Sequence, residues 1–367
     1  MKVLAITTHR PEEVLEPISH MDTENVVLNV ETTGGGVPPV WKIVTTVRNA
    51  ILTHDPDIVL LDAYETIGVV TSLLCLRYRV PVVCRLVGNK WREYSEEFYT
   101  RAKDDGNYAE LGQYYISMAM NRVTFALASG FVVVSTELKQ VAQDQTSCPP
   151  ERIRVVPVSI DPETMNGSSE TARRRMGIDE ERVLLTVTNL NYRGKMQGVK
   201  RILDEIQPIL DERSDVAYVV AGGGRRHADV QEYVEKSFEG SEAYDRVYTP
   251  GFVDDVEDLY AASDIVIYVS FIDGYPNVVL EGQATENPVV ANAAHGMVEQ
   301  IESGETGILI DPSNLGELET AVRSLLDDEA KRTEIGQTAR MEVTRRNHPE
   351  VIGSQLEEAL RQIHSQC

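Results

Sequence analysis

The sequence predicts an α/β chain of two doubly wound domains, each a parallel sheet covered on both faces by helices. Three observations predict it. Short apolar runs of strand length alternate with amphipathic helical stretches, the pattern of strands buried on both faces. These runs end repeatedly in glycine or polar turns at which helices begin. The length, 367 residues, suits two domains of ordinary size.

In order, Lys2 to Thr8 is an apolar run ending in polar residues, the first strand, and Asn25 to Val30 is the second. Gly34-Gly35-Gly36 and Pro38-Pro39 then open a helix whose Val40, Ile43, Val44, Val47, Ile51 and Leu52 form an apolar stripe. Asp57 to Asp62 and Val80 to Val87 are further strands, with a helix through Thr71 to Leu74 between them. Asp55-Pro56-Asp57 spells an Asp-x-Asp, yet it precedes a strand and carries a turn proline, so it reads as a turn. Trp91 to Gln113, polar and tyrosine-rich, reads as a solvated helical segment, or else as a mobile flap or an acceptor-facing loop and helix. Phe131 to Val134 is a strand, Ser135 caps the helix after it, and Arg154 to Pro157 closes the first half. Asn166-Gly167-Ser168-Ser169 reads as linker, which sets the domains at 1–160 and 170–349.

The second half alternates cleanly. Val183 to Thr188 is a strand, the loop Asn189 to Gly198 carries Arg193 and Lys195, and a helix follows with Val199, Ile202, Leu203, Ile206, Ile209 and Leu210 on one face. Val216 to Ala221 ends in Gly222-Gly223-Gly224, and Arg246 to Tyr248 leads to Gly251-Phe252-Val253. Ile265 to Phe271 is a strand, Asp273-Gly274-Tyr275 a turn, and Pro276 precedes a helical run from Asn277 to about Glu286. Strand, glycine turn and helix N-terminus together make an anion pocket, because backbone N–H groups and the positive dipole end point at the turn. Gly274 lets a ligand approach the main chain. Glu281 lies one helical turn beyond Asn277 on the same face, placed to accept hydrogen bonds from a sugar diol whose phosphates rest on the helix start. Pro288 to Ala291 is the next strand, Leu325 to Arg345 is helical, and Val351 to Ile363 is a last amphipathic helix after His348-Pro349. In parallel sheets ligands bind beyond the C-terminal strand ends, where each of these motifs falls.

The run from Asp264 to Pro312 resembles the donor-binding signature of the retaining GT-B glycosyltransferases of family four, glycosyl transferases group 1, in which two acidic residues are separated by seven. Here the pair is Asp273 and Glu281. The resemblance implies the GT-B fold: two Rossmann-like domains facing a central cleft, acceptor side first and donor side second, with helix 350–367 packing back on the first. It implies Lys195, Arg193, Asp273 and Glu281 as catalytic residues. Donor contacts are implied at Gly274, Tyr275, Pro276, Asn277, Val278 and Val279, at Gly222, Gly223, Phe252 and Val253, and at Gly88 and Asn89. Three departures stand out: the first acid is Asp where the family has Glu, Lys195 stands three residues before Gly198 instead of beside it, and Val87 replaces the usual His. The implied reaction moves a sugar, with retention, from a UDP- or GDP-linked donor to a glycan, glycolipid or lipid-linked acceptor. The donor is a substrate, so no cofactor is expected. Two alternatives stay open: another GT-B enzyme such as a sugar-nucleotide epimerase or a phosphorylase, and a non-catalytic glycan-binding homologue.

Charge and cysteines exclude other classes. A formal charge of −23 opposes binding to a nucleic-acid backbone. Only nine of the 35 basic residues are Lys, the acidic, lysine-poor balance of a halophilic protein from a salt-rich cytoplasm. Cys75, Cys84, Cys148 and Cys367 show neither paired spacing nor a nearby His cluster, so zinc and a disulfide framework are not expected. MKVLAITTHR is too short an apolar run for a signal peptide, and arginines and a proline interrupt Ile67 to Val87. A cytoplasmic location follows, with a lipid-linked acceptor as the one reason to approach a membrane.

Overall fold

The structure, a computed structural model, describes residues 1–8, 12–30, 38–104, 106 and 108–367, so the Gly34-Gly35-Gly36 turn lies outside the described residues. The chain divides into two compact units, Met1–Ser159 with Pro349–Cys367, and Ile160–His348.

The first unit is a six-stranded sheet built from β1 (Lys2–Thr7), β2 (Glu24–Asn29), β3 (Ile58–Asp62), β4 (Val82–Leu86), β5 (Gly130–Val133) and β6 (Ile153–Val155). All neighbours pair in parallel, in the order β2-β1-β3-β4-β5-β6. One face packs Val3, Ala5, Ile58, Leu60, Val83 and Val132 against Val14 and Ile18 and against Ile352, Leu356, Leu360 and Ile363 of the final helix, Pro349–His364. The distant C-terminus thus completes the first core. Helices Val40–His54, Glu65–Tyr78 and Tyr108–Leu127 lie side by side as a further layer of this unit.

The second unit repeats the plan with β7 (Arg182–Val187), β8 (Val216–Ala221), β9 (Val247–Gly251), β10 (Ile265–Tyr268), β11 (Val289–Asn292) and β12 (Ile308–Ile310), ordered β12-β11-β10-β7-β8-β9, again all parallel. Side chains alternate faces along a strand. Leu184, Tyr218, Ile265 and Ile267 therefore enter one core, while Leu185, Ala217, Val266 and Tyr268 enter the other.

Several elements differ from the sequence reading. The strand expected to reach Phe271 stops at Tyr268. Beyond it the side chain of Asn292 takes over both backbone groups of Ser270, accepting from its N–H at 2.9 Å and donating to its carbonyl at 3.0 Å. The helix expected to reach Glu286 ends at Ala284, and Glu286 turns left-handed at φ +58°. Trp91 to Gln113 is largely helical, beginning with Lys90–Tyr94 and continuing through a π-helical turn, Ser95–Thr100. The Asn166–Ser169 stretch is packed: Ser168 caps helix Ser169–Met176, and a Cβ on Gly167 would lie 2.0 Å from the Glu257 carbonyl oxygen. Asp55 ends a helix in the left-handed region and Asp57 accepts from the Lys2 N–H, so the Asp-x-Asp does structural duty.

Candidate functional site

In the second sheet the strand order reverses between β7 and β10: the chain runs outward through β8 and β9 on one side and through β11 and β12 on the other. Such a reversal leaves a crevice beyond the carboxyl ends of the two central strands. Two helices start there, Arg193–Glu212 after β7 and Asn277–Ala284 after β10. The sequence reading made Arg193 and Lys195 part of a loop; they are instead in the first turn of the first helix. Gly194 and Gly198, which look like loop glycines, let that helix press on the chain leaving β10. A Cβ on Gly198 would lie 1.7 Å from the Val269 carbonyl oxygen, and one on Gly194 would lie 2.9 Å from Ile272.

This contact brings Lys195 to Asp273. Its Nζ lies 3.3 Å from Oδ2 of Asp273, both side chains less than a fifth exposed. The Tyr268 hydroxyl donates to the same oxygen at 2.6 Å, and the ammonium sits 6.0 Å from the centre of the Tyr268 ring. Burial works against the Lys195 charge, but the Asp273 carboxylate and the Tyr268 phenol outweigh it and hold the lysine above its ordinary range. Tyr268 is pushed up by its own burial and then by the Asp273 charge, so it stays a protonated donor. Eight residues on, Glu281 is held the same way. The hydroxyl of buried Tyr260 donates to its Oε2 at 2.6 Å, and burial followed by the Glu281 charge keeps that phenol protonated.

The turn between β10 and its helix is fixed from several sides. The Ser270 hydroxyl donates to the Ile272 carbonyl at 2.8 Å, Gly296 N–H to the Gly274 carbonyl at 2.9 Å, and the Gln300 amide to the Pro276 carbonyl at 2.9 Å. The Asn347 amide donates to the Tyr275 hydroxyl at 3.3 Å. Tyr275 and Val279 bury their side chains, so only their backbone is available to a ligand, whereas Asn277 and Val278 keep partial exposure. Pro276 stands at the N-cap position, just ahead of the first turn.

Both helix starts break an ordinary rule. Neither has a side-chain cap or an acidic residue in its first turn, and the first carries Arg193 and Lys195 at its positive end. Cations there oppose the macrodipole by a few tenths to about 1 kcal/mol each. Some other helices are capped, by Ser135, Ser168 and Asp328, while others, Val40–His54 and Glu65–Tyr78 among them, also lack a side-chain cap. The backbone N–H groups of both starts, with Arg193 and Lys195 on the first, are the groups an anion site uses.

The other expected residues sit at or just past the ends of strands. Gly222, at φ +136°, has its missing Cβ position 1.8 Å from the Thr188 carbonyl oxygen and donates its N–H to Gly251 at 2.7 Å, so it joins the ends of β7, β8 and β9. Gly223 accepts the Leu190 N–H at 3.0 Å. Phe252 is 77% exposed just past β9, and Val253 packs on the core. Gly88 and Asn89 belong to the first unit, at the end of β4, where Asn89 caps helix Lys90–Tyr94 through the Arg92 N–H at 3.1 Å. The sequence reading did not single out Tyr268, Tyr260, Asn292 or Asn347. The signal for Tyr268 was a phenol inside an apolar run, which needs a partner for its hydroxyl. Among the described residues no group of three or more His, Cys, Asp or Glu is disposed to hold a metal.

Both halves of the chain match known domains. The glycosyltransferase family 4 domain matches residues 2–164, and the domain described as glycosyl transferases group 1 matches residues 181–328. An uncharacterized glycosyltransferase of Methanocaldococcus jannaschii is 29% identical over 220 residues, 58% of this chain and 54% of that relative, so the match spans about half of the relative's length. A viral protein designated a glycosyltransferase, from a virus isolate of Victoria, Australia, is 26% identical over 321 residues, 85% of this chain and 88% of its own. HepE of Anabaena, solved in complex with UDP-glucose, is similar with a TM-score of 0.73 at 19% identity, covering 98% of this chain and 99% of that one. At that identity the likeness is one of fold.

Proposed function

We propose that this chain, a GT-B glycosyltransferase by its fold and by its family 4 and group 1 domains, moves a sugar from a nucleotide-diphosphate donor to a saccharide acceptor. On this reading transfer retains the anomeric configuration and needs no metal, and the acceptor is a glycan, a glycolipid or a lipid-linked saccharide. The observation that carries it is the meeting of Lys195 and Asp273 at the strand-order reversal, between two uncapped helix starts. The crystallised UDP-glucose complex of HepE supports a nucleotide sugar as donor.

Departure of a nucleoside diphosphate builds negative charge on its phosphate oxygens. Lys195, Arg193 and the start of helix Asn277–Ala284 are the groups that would meet this charge; the fixed turn means the helix start needs little reorganisation to do so, while Lys195 exchanges Asp273 for the phosphate. In this mechanism the diphosphate competes with Asp273 for the Lys195 ammonium, and the released carboxylate becomes free to accept a sugar hydroxyl. Glu281, aligned by Tyr260, accepts hydrogen bonds from hydroxyls of the donor. Attack comes from the leaving-group side, as retention requires. The test is nucleotide release in high salt from a panel of UDP- and GDP-sugars. Arg193→Ala and Glu281→Gln are each expected to lower the rate by about a hundredfold or more, with unfolding temperatures close to the parent's. Parental rates in both variants would remove the assignment.

A further inference from the structure

Beyond that reaction, the first unit carries a surface that joins exposed apolar side chains to exposed cations. Helices Val40–His54, Glu65–Tyr78 and Tyr108–Leu127 lie side by side, the middle one touching both neighbours; Arg48 of the first donates to the Tyr78 hydroxyl of the second at 3.1 Å. Several of their outer positions are apolar where solvent-facing helix positions are ordinarily polar. Trp41 is 69% exposed, Leu76 62% and Leu73 49%, and Leu52, Ile116 and Val123 are exposed with them. The middle helix is apolar nearly all round although one side of it is open, a pattern that ordinarily marks a covered helix.

Charge on this layer is equally distinct. The chain holds 58 acidic residues, yet these three helices hold two, Glu65 and Glu110, each in a first turn. Lys42, Arg48, Arg77 and Arg122 are exposed on the same helices; exposed Arg79 follows the middle one and exposed Asp55 the first, which leaves the layer with an excess of cations. In a protein of net charge −23, this face can approach an anionic surface while the acidic remainder is repelled from it. Long basic side chains beside exposed Leu, Ile and Trp are the composition of an interfacial surface, apolar groups entering and cations reaching back to headgroups. The layer continues into a groove of about 590 Å³ whose lining includes Tyr115, Met118, Ala119 and Arg122 of the third helix together with Trp91.

We propose that the outer face of these three helices docks on the anionic surface of a lipid bilayer. Neutral apolar burial alone would fit a second protein copy equally well; the removal of acidic residues from this face selects an anionic partner, and the headgroup-reaching arrangement of cations around apolar side chains selects lipid. The test is sedimentation of the full chain with vesicles of phosphatidylcholine alone or mixed with phosphatidylglycerol, at low and high salt. Binding to the anionic vesicles is expected, weaker as salt rises and absent with the neutral ones. Leu73→Glu with Leu76→Glu, both at exposed positions, is expected to weaken it by about tenfold or more, as is Arg77→Glu with Arg122→Glu at low salt, with the unfolding temperature of each variant near the parent's. Equal binding to both vesicle types, no binding to either, or undiminished binding by both double variants overturns the proposal. So does a vesicle-free dimer that the leucine variant dissolves, which would assign the face to a second copy. Nucleotide release from the donor, measured with a soluble acceptor and unaffected by either double variant, keeps this result separate from that of the transfer reaction.

Discussion

Asp273 is one carbon shorter than the Glu expected at its position, and the structure shows what surrounds the shorter side chain: a lysine at 3.3 Å and a buried phenol at 2.6 Å on the same oxygen. Removing Lys195 strands a largely buried carboxylate, so Lys195→Ala is expected to cost about 3 kcal/mol of stability as well as activity. Lys195→Ala with Asp273→Ala should recover part of that stability and none of the activity. Chemical denaturation of the two singles and the double checks this through their non-additivity. Asp273 also sets the pH range of the lysine. Because the folded value lies above the ordinary lysine value of about 10.4, the pair's contribution is complete below that pH and is lost only as pH climbs through the folded value. In Asp273→Asn, burial acts without its main opponent, and the alkaline limb of the rate and of the unfolding temperature is expected to move to lower pH. An unmoved limb would mean that Asp273 does not hold the charge. Little of this was legible beforehand. Asp273 and Glu281 stand out by spacing, but Tyr268 sits at the end of an apolar strand and Tyr260 in an ordinary amphipathic helix, and both read as plain core. Nothing in the order of residues says that Lys195 and Asp273 meet, since their neighbourhood is made by the parallel pairing of β7 with β10.

At the scale of elements, the site rests on how closely helix Arg193–Glu212 approaches the end of β10. Gly198→Ala places a methyl 1.7 Å from a backbone carbonyl oxygen that cannot swing away. It is expected to cost at least 1–3 kcal/mol and to lower transfer with it, because Lys195 moves with the helix. Gly177→Ala makes the control: its Cβ meets nothing, and only the left-handed backbone at φ +69° opposes it, at about 1 kcal/mol. Thermal unfolding and nucleotide release on the two variants separate helix displacement from simple loss of stability. Here sequence reading succeeded for most strands and failed at the glycines. Val183 to Thr188 and Val216 to Ala221 are apolar, β-branched and bounded by turns, so they declare themselves. Gly194 and Gly198 read as loop because glycine is a poor helix former, while their reason for being there is a distant neighbour in sequence, Ile272 for the first and Val269 for the second. Ser270 likewise looked like strand until the Asn292 side chain claimed its backbone.

At the scale of the whole molecule, the chain returns its last helix to the first unit, where Leu360 and Ile363 are fully buried. Both tryptophans, Trp41 and Trp91, are in that unit, so their fluorescence follows its unfolding alone. Leu360→Ala is expected to destabilise the first unit by 2–5 kcal/mol and to shift the fluorescence transition, while a nucleotide-protected transition of the second unit stays in place. A common shift of both would show the units to unfold together. The alternation of strands and helices made the two-unit plan legible, and the amphipathic stripe of Val351 to Ile363 announced a packed final helix. The strand orders were not legible, and they are what put the reversal, and with it the site, between β7 and β10. The account's central claim is that the diphosphate of a nucleotide sugar is held there, by Lys195, Arg193 and the start of helix Asn277–Ala284. A crystal structure with UDP or GDP bound tests it most directly. The account predicts phosphate oxygens within hydrogen-bond reach of Lys195 Nζ and of the backbone at Asn277 and Val278, with the Lys195–Asp273 pair opened. Phosphates bound away from these groups, with that pair intact, would contradict it.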